Sequence, residues 1–372
     1  MIVPGNAEEL AEALASSQRT RQSIHLCGNS TKDRMGGPIS SADVRISTAK
    51  LNRVLQYEPS DLTISIEAGI TYRELTQVLT KNRQTIPLDP PFSEHATVGG
   101  IVAANASGPR RRLYGTARDL VIGMTFVTLE GKLIHSGGMV VKNVAGLDMG
   151  KLMIGSFGTL AAVAVINFRL HPMPAATRTF VREFVRATEA ITARDKILKS
   201  SLQPAAIDII KSAAGYDLII QAGGSAAVLD RYSGELAGAR VLEGSEESKL
   251  WERIREFTPQ YLRENENGVV LRISCTLSEV GRVLEALPAP ALARAGSGVC
   301  YGYFPQAGDL RRIESLYSKG VGKSVVEFAP QGVRETGELW PEPGSDFGMM
   351  KKVKEMFDPQ YLLNRGRLYG RI

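Results

Sequence analysis

Residues 96–108 read Ala96-Thr97-Val98-Gly99-Gly100-Ile101-Val102-Ala103-Ala104-Asn105-Ala106-Ser107-Gly108. Nearly every side chain in this stretch is small. A backbone so bare can lie at contact distance against a flat ligand or a phosphate, or it can pack tightly on a second backbone. The residues alone leave both readings open.

Upstream, an alternating run at Ser23-Ile24-His25-Leu26 predicts a strand that enters Cys27-Gly28-Asn29-Ser30-Thr31-Lys32. A glycine followed by small polar residues lets successive N–H groups converge into an anion-binding nest, with the Ser30 and Thr31 hydroxyls as further donors. A plain turn is the alternative. Two common phosphate signatures are missing. There is no GxxxxGK[ST], and no GxGxxG between a strand and a helix near the start. Downstream, Lys142-Asn143-Val144-Ala145-Gly146-Leu147-Asp148 leads into Gly155-Ser156-Phe157-Gly158-Thr159-Leu160, and the chain closes with Phe357-Asp358-Pro359 and Leu363-Asn364-Arg365-Gly366-Arg367.

Around these landmarks the periodicity predicts helices over 8–14 and 72–81 and strands at 44–46, 62–67 and 160–170. It also predicts an extended segment over 84–91 and a hairpin of strands 119–129 and 132–136 across Glu130-Gly131. His171-Pro172-Met173-Pro174 marks a domain boundary. Beyond it, helices at 189–201 and 245–258 alternate with strands at 218–222 and 269–275, as in a smaller α+β domain. The tail carries a basic helix, 349–357, and a final extended segment.

A chain of 372 residues suggests two domains. Its 43% hydrophobic and 23% charged content is that of a globular protein. No run approaches the roughly 20 apolar residues of a membrane span, and nothing resembles a signal peptide, so the expected location is the cytoplasm. Cys27, Cys275 and Cys300 form no CxxC pair, which argues against a disulfide framework, a zinc site or an iron–sulfur cluster held by this chain alone. The net charge of +6 is scattered among acids, unlike the concentrated stripe of a nucleic-acid binder. Arg110-Arg111-Arg112 is the exception. It reads as a solvated loop, a contact to a cofactor phosphate, or a docking point for an acidic partner or membrane surface.

In their order, GNSTK at 28–32, TVGGIVAANASGPRRR at 97–112, YGTARDLVIG at 114–123, GGMVVKNVAGLD at 137–148 and GSFGTL at 155–160 resemble the FAD-binding fold of the vanillyl-alcohol oxidase (PCMH-type) flavoproteins. Within that family the chain is most similar to FAD-binding subunits of the glycolate oxidase type. The likeness covers the first ~170 residues well, the last ~20 moderately, and the middle by length only. It implies an α+β fold with a PCMH-type two-subdomain FAD-binding domain at 1–172. It further implies a smaller α+β cap domain for substrate or partner at 173–335, and a segment, 336–372, that returns to the FAD domain.

Residue by residue, the resemblance implies that Cys27, Gly28, Asn29, Ser30, Thr31 and Lys32 bind the FAD pyrophosphate, with Thr97, Val98, Gly99, Gly100, Ala103 and Ala104 facing diphosphate and flavin from the other side. Ser107, Gly108, Tyr114 and Gly115 would line the same cleft, Gly158 and Val163 would hold the adenosine half, and Asn364 would stand near the isoalloxazine. Covalently flavinylated relatives carry a histidine in or beside the first loop. Asn29 and Ser30 stand there instead, which implies non-covalent FAD.

Relatives that oxidise 2-hydroxy acids unaided place metal-binding and base histidines in the cap and C-terminal part. The four histidines here, His25, His95, His135 and His171, all precede residue 172, and none has ligand spacing. No metal and no catalytic base are therefore assigned, and LNRGR replaces the family's LNPGR at 363–367. The expectation is an FAD subunit of a glycolate or D-2-hydroxy-acid dehydrogenase complex. Its implied partners are a catalytic flavoprotein subunit and an iron–sulfur subunit, through which it would reach the inner face of the membrane. The alternatives are a self-sufficient FAD oxidoreductase using Tyr301 or Tyr303, and a scaffold that binds no flavin.

Overall fold

A computed structural model describes residues 1–39, 41–140, 147–308, 322–370 and 372. The expected motif at 142–148 therefore lies mostly outside the described residues. The chain divides into two compact units: 1–107 with 115–173 and 342–372, and 108–114 with 174–341.

The first unit contains three sheets. Strands β1 (Ile24–Cys27) and β2 (Val44–Ser47) pair in parallel. Strands β3 (Val54–Glu58), β4 (Thr63–Glu67), β6 (Val121–Val127), β7 (Leu133–Gly137) and β8 (Ala162–Arg169) form an antiparallel sheet of order β3-β4-β8-β6-β7. The expected extended run at 84–91 shrinks to β5 (Gln84–Thr85), paired with β9 (His171–Pro172). Alternation along the strands splits the apolar residues between two cores. Ala162 and Ala164 join Leu10 and Leu14 of the helix Ala7–Arg19, whereas Ile64, Ile66, Ile166 and Phe168 pack with Leu75, Leu79, Ile101 and Val102.

Two expectations need correction. The strand expected from residue 119 begins at Val121, because Thr116 and Asp119 form a capping box that starts a short helix, Ala117–Leu120. The final extended segment is instead, among the described residues, a series of turns joined to the sheets by a single bridge from Leu363 to Ile24. Side chains take over the pairing there. The Asp358 carboxylate accepts from the Leu362 and Leu363 N–H groups at 2.9 and 2.8 Å. Lys354, fully buried on the helix Phe347–Phe357, donates to Asp358 and to the Thr159 and Leu363 carbonyls.

The second unit is built on an antiparallel sheet of β10 (Ala176–Phe184), β11 (Ala206–Ser212), β12 (Gly215–Gly224), β13 (Arg240–Leu242), β14 (Val269–Ser274), β15 (Ala291–Arg294), β16 (Val299–Phe304) and β17 (Lys323–Phe328). Its order is β13-β10-β12-β11-β15-β16-β14-β17. One face is apolar, where Phe180, Leu218, Ile220, Ile209 and Ile273 pack with side chains of the helices Ala187–Lys199 and Val280–Ala286. On the other face Trp251 Nε1 donates to Thr179 Oγ1 at 2.8 Å, and Tyr303 shares a 2.9 Å hydrogen bond with Thr258.

Candidate cofactor cradle

In the first unit, the loop after β1 and the glycine-rich stretch at 97–104 share one cleft of about 730 Å³, counted to its open mouth. Cys27, Gly28, Asn29, Ser30, Thr31, Lys32, Thr97, Gly99, Gly100, Ala103, Ala104, Gly158, Val163 and Asn364 line it, so four stretches far apart in sequence converge.

The first loop is held by its carbonyls. The Cys27 carbonyl accepts from Thr48 N, the Gly28 carbonyl from Ser47 Oγ, the Ser30 carbonyl from Asp33 N, and the Lys32 and Asp33 carbonyls from the Arg367 guanidinium. Asn29 Nδ2 donates to the His95 carbonyl at 2.9 Å, and Arg45 donates to Ser30 Oγ. Among the described residues, the N–H groups of Gly28, Asn29, Ser30 and Thr31 have no acceptor in the chain. A loop with most of its carbonyls spent and successive N–H groups open meets the electrostatic requirement of an anion site. Lys32, nearly buried over the Phe92 ring, adds positive charge.

Opposite, Thr97 caps the helix Val98–Ala103 and accepts from Gly100 N. A Cβ on Gly28 would stand 2.2 Å from Thr97 Oγ1, so the two walls can approach only because Gly28 has no side chain. A Cβ on Gly99 would likewise stand 2.8 Å from the Ala68 Cβ, whereas one on Gly100 would meet only Thr97 Oγ1, at 3.1 Å. Three non-glycine residues of the lining, Ser30, Phe157 and Asn364, have positive φ of 59°, 54° and 41°. Such backbone persists only where its surroundings impose it, and it clusters at ligand sites.

Asn364 does more local work than a flavin contact would need. Its Oδ1 accepts from Leu26 N at 2.8 Å, and its Nδ2 donates to the Leu26 and Phe157 carbonyls at 3.1 and 2.7 Å. The amide thus ties the C-terminal turn to two walls of the cleft.

Other expected positions stand elsewhere. Val98 is wholly buried in the core. Ser107 is buried and is not part of the lining. Gly115, with φ +82°, lies against Asp119, where a Cβ would come 2.4 Å from the carboxylate. Gly108 and Tyr114 group with the second unit. His25, Leu26, Asp33, Thr48, Phe157, Ala161 and Arg367 line the cleft without having been foreseen. Arg367 had a signal in the tail motif; the carbonyls it serves, more than 330 positions away, left none.

In the second unit, Tyr301 and Tyr303 are poor candidates for a base. Burial raises both phenols, so they stay protonated and act as donors. Nor is the arginine triplet a solvated loop: it is half-buried, and Arg112 Nη1 donates to the Pro204 carbonyl at 3.1 Å.

Open backbone N–H groups at 28–31, a glycine-rich wall and left-handed backbone at Ser30, Phe157 and Asn364 are features that a nucleotide cofactor requires. Residues 1–137 match the FAD binding domain family. It is 28% identical to glycolate oxidase subunit GlcE of Escherichia coli (strain K12), over 98% of each chain. Glycolate oxidase subunit GlcD of Bacillus subtilis (strain 168) is 22% identical, over all of this chain and 89% of that one. A D-lactate dehydrogenase of Archaeoglobus fulgidus is 24% identical, over all of this chain and 91% of that one. Among solved structures, an alkyldihydroxyacetonephosphate synthase shares the fold, with a TM-score of 0.73 at 18% identity over 97% of this chain and 75% of that one. The cofactor of this fold is FAD, and the cradle fits it.

Proposed function

We propose that the chain is the FAD-carrying subunit of an oxidoreductase of small 2-hydroxy acids, such as glycolate or D-lactate. The observation that carries this reading is the run of open N–H groups at Gly28–Thr31 facing the glycine-rich wall, in a chain alignable end to end with a glycolate oxidase subunit. When bound, FAD supplies the acceptor for the hydride or electron pair of the hydroxy acid.

The chain's own residues bind and orient. Gly28 to Thr31 hold the diphosphate through backbone donors, with Lys32 lending charge. Gly99 and Gly100 admit the cofactor against bare backbone. Asn364 and Arg367 fix the loop that receives it, and Gly158 and Val163 border the adenosine end. The domain reading follows: 1–172 binds FAD, 173–335 meets substrate or partner, and 336–372 completes the FAD domain.

Its partners are a catalytic flavoprotein subunit and an iron–sulfur subunit. All four histidines lie in the first unit, which leaves the second without one for a base. No described helix is long and apolar enough to cross a membrane, and this reading places the complex in the cytoplasm, on the inner face of the membrane.

The end-to-end match to D-lactate dehydrogenase favours a second reading, turnover by the chain alone. Anaerobic addition of glycolate and of D-lactate to the FAD-loaded chain separates the two. Flavin bands that persist until the partner subunits are added support the subunit reading, and bleaching in their absence supports the second.

A further inference from the structure

Strand register carries one face of the second unit's sheet to an unexpected composition. Residues directly opposite in an antiparallel pair share a face. Pairing of Thr179 with Gln221, Gln221 with Ala206, Ile210 with Leu292, Leu292 with Tyr301, and Tyr301 with Arg272 therefore places Asp208, Arg294, Tyr301, Tyr303 and Arg272 on the same face. Two ion pairs form there. Arg272 Nε lies 3.0 Å from Glu327 Oε1, and Arg294 pairs with Asp208, which is wholly buried. The Arg294 guanidinium also stands 5.9 Å from the Tyr301 ring centre.

A third guanidinium joins them. Arg111 interacts electrostatically with Tyr301, Arg272, Arg294 and Glu327, and burial lowers its pKa. Among the described residues its guanidinium makes no hydrogen bond and no ion pair, and only its backbone N–H donates, to the Gly108 carbonyl at 3.3 Å. Arg294 is only 7% exposed, yet its Nε, shielded from solvent, has no acceptor among them. Two carboxylates thus face three guanidiniums. A partly desolvated cation without a counter-charge is costly, and an arriving anion relieves that cost. The planar fork of arginine matches a carboxylate in two parallel hydrogen bonds, and the protonated Tyr301 hydroxyl is a further donor.

We propose that Arg111, Arg272, Arg294 and Tyr301 form a binding site for the carboxylate of a small organic acid, with Arg111 supplying the uncompensated charge. The proposal rests on the functional reading above for the class of acid, 2-hydroxy monocarboxylates, and on the second unit's geometry for the site.

Oxalate, a carboxylate with no hydroxyl to oxidise, is the probe. Its binding to the full FAD-loaded chain is measured by calorimetry for the wild type, Arg111→Met and Arg111→Lys. The expected result is a loss of affinity of at least tenfold in Arg111→Met and a smaller loss in Arg111→Lys, with flavin absorption unchanged in both. Equal oxalate affinity in wild type and Arg111→Met overturns the proposal, as does a wild type that binds no oxalate. Inorganic phosphate binding as tightly as oxalate overturns the carboxylate assignment. A chain that takes up no FAD but binds oxalate with the same Arg111 dependence refutes the cofactor reading and leaves this one standing.

Discussion

Gly28 and Gly100 face the same threonine and do opposite jobs. At Gly28 any side chain collides with Thr97, so its absence lets two segments meet; at Gly100 a Cβ would meet only Thr97 Oγ1, at 3.1 Å, a tight contact rather than a collision. Gly100→Leu therefore asks the Thr97 hydroxyl to give by a few tenths of an ångström and fills the cleft. The expected outcome is FAD affinity reduced at least tenfold in a fluorescence titration, with thermal unfolding within a few degrees of wild type, as for a substitution that neither buries a polar group nor opens a cavity. Unchanged FAD affinity places the cofactor elsewhere. The sequence made these glycines visible because small residues in fixed order are a local pattern. The role of Asn364 was not visible, since its partners Leu26 and Phe157 lie 338 and 207 positions away.

At the scale of elements, caps decide where segments begin. Thr71 and Glu74 form a capping box at the helix Tyr72–Thr80, and donation from the Thr71 hydroxyl and N–H holds the Glu74 carboxyl below its ordinary value of 4.5. A carboxylate with a depressed folded-state pKa stabilises above its unfolded pKa, and that contribution is lost as pH falls through the folded value. Glu74→Ala is accordingly expected to melt below wild type at pH 7, with the gap closing as pH drops below 4.5. A gap of constant size across that range contradicts the ionic role of the cap. Helices and strands with clear periods were legible in the residues. The helix at 117–120 was not, because four apolar and polar residues before a strand read as its continuation. The turns at 358–370 were missed for a different reason: Asp358, Lys354 and Asn364 replace backbone pairing with side-chain hydrogen bonds.

On the scale of the whole molecule, what the sequence showed and what it hid divide between the two units. In the first, the family motifs are short, glycine-rich and ordered, and those at 28–32, 97–104 and 157–158 meet in one cleft, while 107–123 stand outside it. In the second, the strand order β13-β10-β12-β11-β15-β16-β14-β17 brings distant segments side by side, so its arginine-bearing face could not be read from any one stretch. Arg111 shows the difficulty most plainly. It lies at the end of the family motif at 97–112, yet groups with the second unit.

The central claim is that the cradle holds FAD reversibly, and equilibrium uptake by the purified chain tests it most directly. The protein is incubated with excess FAD, freed of unbound flavin, scanned in the visible and then precipitated with acid. The account predicts flavin bands close to one FAD per chain, with all the colour in the acid supernatant. A chain that stays colourless at saturating FAD contradicts it, and flavin that remains with the precipitate contradicts its non-covalent form.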